Sequence, residues 1–439
     1  MVFNYPLGFQ LEVTEFCNHR CFYCYNSSTL KPRSELSLEK ADELSDIVIA
    51  DIQPFFATLT GGEPLLNLDT TLFLMEKFKK NYIKTSINTN LTLLDNDMLQ
   101  KFTGRFPKND LHFLASLPHY QKEMFNKITD TDNLETFYSN LENLVKNDIY
   151  PSINMVVNAL NHKDVYNEGK FLIENFKIKN FCATPVVSPA CYKDSINYHN
   201  LSTEDIVAAF EDLIRLKEDY NIGIDILEVI PRCIIPQELY GKEHKLFDRQ
   251  CSAGRAGITV SVTGDVRPCT HSPLNMGNIF EEKFKTIWER MAPYRNNEYI
   301  PSVCNGCVEA KTCRGGCRFN GCSDSCPNKP DPMMKGKMDA KLHFEEENKK
   351  ISLDTDYIVN TKAVFRSEDE NLFTFYNGDS SSTISINTEF KELYLTLMQL
   401  GSFVPSDLLD KMETESQKKA LLPILNMLFI NNYIYEKRR

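Results

Sequence analysis

The sequence predicts an α/β fold: a partial (βα)6 barrel, then a cysteine-rich domain, then a small α+β module. Three observations lead there. Across residues 1–230 short β-branched runs alternate with amphipathic stretches, and strands separated by helices imply a parallel sheet. Across 231–340 the helical periodicity fades while Gly, Pro and Cys accumulate. Across 351–439 three strand-like runs precede three amphipathic helices.

Each element has its own signal. GFQLEVT (Gly8–Thr14) is apolar and β-branched and reads as the first strand. SLEKADELSDIVIA (Ser37–Ala50) has helical spacing, with Ser37 as N-cap. PFFATLT, ending at Thr60, is a second strand, LDTTLFLMEKFKK a helix, and YIKTSINTN (Tyr82–Asn90) a third strand. DLHFLASL (Asp110–Leu117), PSINMVVN (Pro151–Asn158) and KNFCATPVV (Lys179–Val187) bring the strands to six, and Leu201–Tyr220 is helical. Six such units suit an open, TIM-like barrel, where chemistry gathers at the C-terminal strand ends. The charged stretch 334–350 reads as a linker helix. DYIVNTKAVFRS with LFTFYNG then reads as a hairpin and TISI as a further strand. TEFKELYLTLMQL, PSDLLDKM and QKKALLPILNMLFINN follow as helices, which makes a winged-helix-like module over 351–439.

A chain of 439 residues holds two or three domains. Its 42% hydrophobic and 25% charged residues describe an ordinary globular composition. The net charge of -11 and pI of about 5.4 argue against a protein that tracks nucleic-acid phosphates. No apolar run is long enough to span a membrane, and MVFNYPLGFQ lacks the pattern of a signal peptide. The expectation is a cytoplasmic protein with neither a nucleic acid nor a membrane as partner. In that compartment fourteen cysteines point to metal or redox chemistry rather than disulfides. They also cluster: Cys17, Cys21 and Cys24 early, and Cys251 to Cys326 late, with only Cys182, Cys191 and Cys233 between.

Three thiols on one short loop suit a cubane of four irons whose fourth iron stays open to a ligand, because thiolate sulfur is the preferred ligand of such clusters. A zinc site completed by a donor such as His19 is the alternative. TGGEP (Thr60–Pro64) follows the second strand. Its glycines allow close backbone approach, and Glu63 offers a carboxylate to a cation.

The Cys-x3-Cys-x2-Cys spacing, with Tyr23 before the last cysteine, resembles the signature of radical S-adenosylmethionine (SAM) enzymes. The resemblance covers about the first 230 residues. It implies that the open iron chelates SAM, and that reductive cleavage yields a 5′-deoxyadenosyl radical able to remove hydrogen from an unactivated carbon. It also implies that Gly61, Gly62, Glu63 and Pro64 hold the methionyl ammonium. Ser86 and Asn88 would contact ribose or carboxylate, Ser116 is a similar candidate, and Tyr23 would stack on adenine.

The late field, Cys251-x12-Gly264-x4-Cys269 then Cys304-x2-Cys307-x5-Cys313-x3-Cys317 and a further Cys, resembles the SPASM domain. That implies two auxiliary clusters, three [4Fe–4S] clusters in all. Cys251, Cys269 and Cys317 would hold the first, and Cys304, Cys307 and Cys313 the second. Met333 and Met334 stand after Asp331-Pro332, where the family often has its final cysteine, so Cys326, or else Cys322, is expected to complete the second set. Cys233 is available to the first, which could instead keep an open iron. Zinc ribbons use similar pairs and remain the alternative here.

The tail resembles a RiPP recognition element, which implies a precursor peptide whose leader adds as a strand to a sheet edge. The combined expectation is a peptide-modifying oxidoreductase, served by a flavodoxin- or ferredoxin-like reductant. It would install a thioether, carbon–carbon or carbon–oxygen cross-link in a ribosomally made peptide. The rivals are an anaerobic sulfatase maturase, weakened by Thr270 after Cys269 where those enzymes typically carry Asp, and a non-enzymatic electron carrier. Glu12, Asp225 and His271 are general-base candidates by polarity and position, and no catalytic residue is assigned.

Overall fold

The computed structural model describes residues 3–26, 34–187, 201–320, 327–344, 350–377, 382–410, 412 and 415–437. The chain divides into two compact units, Met1–Phe344 and Glu345–Arg439.

The first unit is built on seven parallel strands, joined side by side in chain order: β1 (Gly8–Thr14), β2 (Phe56–Gly61), β3 (Lys84–Thr89), β4 (Phe113–Ser116), β5 (Ser152–Val157), β6 (Asn180–Pro185) and β7 (Gly223–Asp225). The covering helices are α1 (Leu38–Ile47), α2 (Leu68–Lys80), α3 (Asn96–Thr103), α4 (Lys122–Thr129), α5 (Leu134–Lys146), α6 (Val165–Phe176) and α7 (Thr203–Tyr220). This is the α/β partial barrel the pattern predicts. Helix starts follow the capping chemistry. Ser37 accepts a hydrogen bond from the Lys40 amide at 3.2 Å, Asp95 from that of Met98 at 2.8 Å, and Ser202 forms a capping box with Asp205.

Strand alternation explains why the barrel is hollow. On β3 Thr85, Ile87 and Thr89 are buried while Ser86 and Asn88 are partly open. On β5 Ile153, Met155 and Val157 are buried while Asn154 and Val156 are partly open. Ile87, Ile153, Met155 and Val157 pack into the hydrophobic core, and Ser86, Asn88, Asn154 and Val156 line a cavity. A sealed barrel would carry bulky apolar side chains inward. Here Ser86, Asn88, Ser116 and Asn154 leave the lumen polar.

Three strands lie beyond the six expected. β7 extends the sheet past β6, and β8 (Gly257–Val260) pairs in parallel with the outer side of β1, Gly8 opposite Gly257. β9 (Val266–Arg267) turns back on β8. The cysteine-rich segment thus begins as an extension of the barrel sheet and shares its hydrophobic core. Helices α8 (Gln237–Phe247) and α9 (Phe284–Arg290) flank it. The helix expected at 334–350 does not form over 334–344. Gly336 adopts φ +125° there, and the segment bonds laterally: the Val308 amide donates to the Met338 carbonyl at 3.0 Å and the His343 amide to Gln237 at 2.9 Å. No helix among the described residues is long and apolar enough to cross a membrane.

In the second unit β11 (Val364–Ser367), β12 (Leu372–Asn377) and β13 (Ser382–Asn387) form an antiparallel sheet. β10 (Tyr357–Val359) does not belong to that hairpin, as the sequence suggested. It pairs instead with β14 (Ser402–Phe403) and β15 (Ile434–Glu436). Helices α10 (Thr388–Leu400), α11 (Pro405–Asp410) and α12 (Glu415–Ile430) complete the module. Phe375, Tyr394, Leu397, Leu425 and Tyr433 form its core. The Tyr394 hydroxyl donates to the Asn360 carbonyl at 2.5 Å and that of Tyr433 to the Phe375 carbonyl at 2.9 Å.

One buried carboxyl in the barrel wall makes a testable point. Glu168 on α6 is fully buried, and one oxygen accepts the Tyr120 amide at 3.0 Å. Burial, aided by neighbouring Asp164, pushes its carboxyl well above the usual range. The folded state therefore holds a proton there that the unfolded chain releases near pH 4.3, so this group's contribution falls as pH rises above that value. Glu168→Gln should gain stability relative to the parent between pH 5 and pH 8 in denaturant unfolding. A difference that does not change with pH would refute this.

Candidate metal and cofactor site

The site is assembled where β1 and β2 end. The Gly62 amide donates to the Thr14 carbonyl and the Glu63 amide to the Phe16 carbonyl, each at 2.7 Å. The two strand exits therefore run in backbone contact, and this explains the paired glycines. A Cβ on Gly61, which has φ +137°, would lie 2.2 Å from the Thr14 carbonyl oxygen. One on Gly62 would lie 2.0 Å from that of Phe16. The sequence reading gave these glycines to a ligand, and the structure adds the need of the cysteine loop's own backbone.

That loop is anchored on its far side by the Arg20 amide, which donates to the Thr129 carbonyl at 2.9 Å, and by that of Phe22 to Ile128 at 3.2 Å. Cys17, Cys21 and Cys24 then line one cavity of about 520 Å³ with Tyr23, Gly61, Gly62, Glu63, Ser86, Asn88 and Ser116. Pro64 is not in the lining; it opens the 3-10 turn Pro64–Asn67. Burial pushes the Cys17 thiol up to about 12 and raises Cys21 further. Thiolates here need a cation on the sulfur. The His19 amide points at the Cys17 sulfur from 3.4 Å and the Asn90 Nδ2 from 4.0 Å, the kind of donor that tunes an iron–sulfur centre.

Glu63 is buried and well partnered. One oxygen accepts the Thr89 hydroxyl at 2.8 Å and the Leu65 amide at 3.1 Å, and the other accepts the Asn90 amide at 2.7 Å. Burial outweighs these donors and lifts the carboxyl to about 7. A cation beside it would complete its ionisation.

Several lining residues had no sequence signal: Tyr25, Asn154, Thr184, Glu228 and Arg249. Of the general-base candidates, His271 lines the cavity, with Nδ1 3.4 Å from Glu228. Glu12 is buried in an ion pair with Arg267, and Asp225 bonds Arg249 at 2.6 Å.

The late cysteines fall into two groups. Cys251, Cys269 and Cys317 are mutual neighbours beside Glu228, and burial raises the thiols of Cys269 and Cys317. The Cys317 amide donates to buried Asp331 at 3.2 Å. Cys304, Cys307 and Cys313 line a second small pocket. Cys233, offered by the sequence reading to the first group, lies against this second one. Cys322 and Cys326 lie outside the described residues. Among the described residues no three Cys, His, Asp or Glu close on a single ion-sized point.

Residues 11–168 match the radical SAM superfamily, and residues 251–308 match SPASM, an iron–sulfur cluster-binding domain. The chain carries a radical SAM domain and a SPASM domain. It is 25% identical to an AdoMet-dependent heme synthase of Methanosarcina barkeri, over 72% of this chain and 92% of that protein. It is 23% identical to a PqqA peptide cyclase of Rhizobium meliloti, over 71% of this chain and 82% of the relative. The crystal structure of Streptococcus suis SuiB bound to the precursor peptide SuiA shares its fold, with a TM-score of 0.62 at 16% identity, covering 76% of this chain and 77% of that one. A radical SAM domain requires a [4Fe–4S] cluster and SAM, and a SPASM domain indicates further iron–sulfur clusters.

The glycine pair gives a direct check. Gly62→Ala forces apart the strand exits that carry both thiols and Glu63, and should cost about 3 kcal/mol or more in guanidinium unfolding. A loss below about 1 kcal/mol would show that the contact can relax.

Proposed function

We propose that this enzyme cross-links a ribosomally made precursor peptide. The observation that carries the reading is the single cavity that joins three thiols to a buried carboxylate and to an apolar wall of Leu114, Val156, Val186 and Val187. When bound, the cluster and SAM together supply a radical that removes a hydrogen atom from an unactivated carbon. The chain's own residues do the rest. Cys17, Cys21 and Cys24 would hold the SAM-binding cluster. Among the cavity-lining residues, Glu63 would bind the methionyl ammonium, Tyr23 the adenine, and Ser86, Asn88 and Ser116 the ribose and carboxylate. His271, held by Glu228, is placed to take a proton from the peptide.

Two auxiliary clusters complete the set of three: one on Cys251, Cys269 and Cys317, the other around Cys304, Cys307 and Cys313. Forming a bond at the expense of two hydrogens releases one electron more than the radical consumes, and an auxiliary cluster held by these cysteines would supply the acceptor. A flavodoxin- or ferredoxin-like protein supplies the starting electron. Functionally the chain comprises a radical barrel over 1–230, an auxiliary domain over 231–340 and a leader-binding module over 351–439. The last assignment is supported by a sheet β11-β12-β13 followed by α10, the short strand β14, α11 and α12, by sheet edges of the kind that accept an added strand, and by the names of a peptide cyclase relative and a peptide-bound structural neighbour.

Cys21→Ala should abolish release of 5′-deoxyadenosine from SAM by the dithionite-reduced protein, and persisting cleavage would contradict the cluster assignment. Removing residues 345–439, a compact unit of their own, should leave uncoupled SAM cleavage intact while weakening precursor-peptide binding at least about tenfold, roughly 1.4 kcal/mol. Unchanged peptide affinity, read by fluorescence anisotropy, would remove the leader-binding role.

A further inference from the structure

We infer that Cys233 is the fourth thiolate of the second auxiliary cluster, in place of Cys326 or Cys322. The inference rests on the proposed cluster at Cys304, Cys307 and Cys313 and sharpens it. All four of these cysteines line one small pocket. Cys304 is buried and the other three are half-buried.

Cys233 comes from far away in the sequence, on the single turn Arg232–Ile234 that follows β7. A buried ion pair brings it there. The Arg232 guanidinium donates to Glu309 at 2.8 Å, and Glu309 sits between Cys307 and Cys313 in the chain. Both partners are nearly fully buried, and Arg232 also pairs with Asp248. Such a pair adds little net stability but fixes register, because any slip leaves a buried charge alone. The next residue, Cys233, is thereby set against the cysteine loop. On the other side Pro231 presses on Gly316, where a Cβ would meet its ring at 2.6 Å.

The pocket is also furnished for thiolates. The Arg232 amide donates to the Cys313 sulfur and the Met338 amide to the Cys307 sulfur, each at 3.3 Å. Met334 shares the pocket wall. A thioether is a weak neutral acceptor, whereas the favoured iron–sulfur ligand is a thiolate. Cys233 is the fourth thiol that the described residues bring to this pocket.

The test is a thiol footprint of the full chain, reconstituted anaerobically with iron and sulfide. Iodoacetamide labelling is read by mass spectrometry before and after the iron is chelated. Cys233 should be protected together with Cys304, Cys307 and Cys313, and all four should react once iron is removed. Labelling of Cys233 in the loaded protein while the other three stay protected would overturn the assignment. So would a Cys233 that stays unreactive in both states, since packing alone would then shield it. Equal labelling of Cys304, Cys307 and Cys313 with and without iron would instead refute the cluster itself. In a second measurement Cys233→Ser should shift one auxiliary signal in the electron paramagnetic resonance spectrum of the reduced protein, with Cys322→Ser and Cys326→Ser leaving that signal in place. The reverse pattern would refute the inference.

Discussion

Everything at the site depends on the backbone contact between the exits of β1 and β2. The ladder between these strands shifts register between Glu12 and Thr14, and the chain then continues as paired amides and carbonyls from Thr14 to Glu63. That contact sets the direction of the cysteine loop and the position of the Glu63 side chain together. Neither could be moved without the other. It also demands two consecutive residues without a Cβ, so the glycines of TGGEP are fixed by the fold before any ligand is considered.

The second constraint is the choice of lumen side chains. The inward residues of the barrel bond to one another across strands: Thr58 to Ser86 at 3.0 Å and Thr184 to Asn154 at 2.6 Å. These pairs satisfy the polar groups without filling the space. The stability of the barrel therefore rests on the other strand face, where Leu59, Ile87, Ala115, Ile153 and Ala183 pack against the helices. That division of labour leaves the lumen free to bind cofactor and substrate.

Local signals in the sequence carried far. Gly8–Thr14 and Leu68–Lys80 form as read, because their apolar spacing, length and flanking residues agree. Features decided by distant pairing were not legible. Gly257–Val260 is too short to announce a strand, and it exists because β1 offers a free edge. Tyr357–Val359 looks continuous with the next strand but is captured by β14 and β15. The charges of 334–344 suggested a helix, yet lateral bonds to Val308 and Gln237 prevail. At the site, Cys17, Cys21 and Cys24 were legible because ligand spacing is local. Cys233 was not, because its neighbours are set by the Arg232–Glu309 ion pair, which has no sequence pattern.

The arginines of the SPASM region bring the charge argument to a point. Arg255, Arg314 and Arg318 line one pocket with Cys251. Arg314 donates to the Tyr294 carbonyl at 2.7 Å and Arg318 to that of Tyr299 at 2.5 Å, and Asp331 lies within electrostatic reach of Arg318. Burial, and then the neighbouring Arg255, pushes the Arg314 guanidinium down to about 10. Gathering like charges in a half-buried space is unfavourable unless an anion answers them. A thiolate at Cys251 would oppose this downward push on Arg255 and Arg314, and a cluster with several thiolate ligands carries net negative charge. If the proposed auxiliary cluster formed at Cys251, its charge and that of the arginines would offset one another.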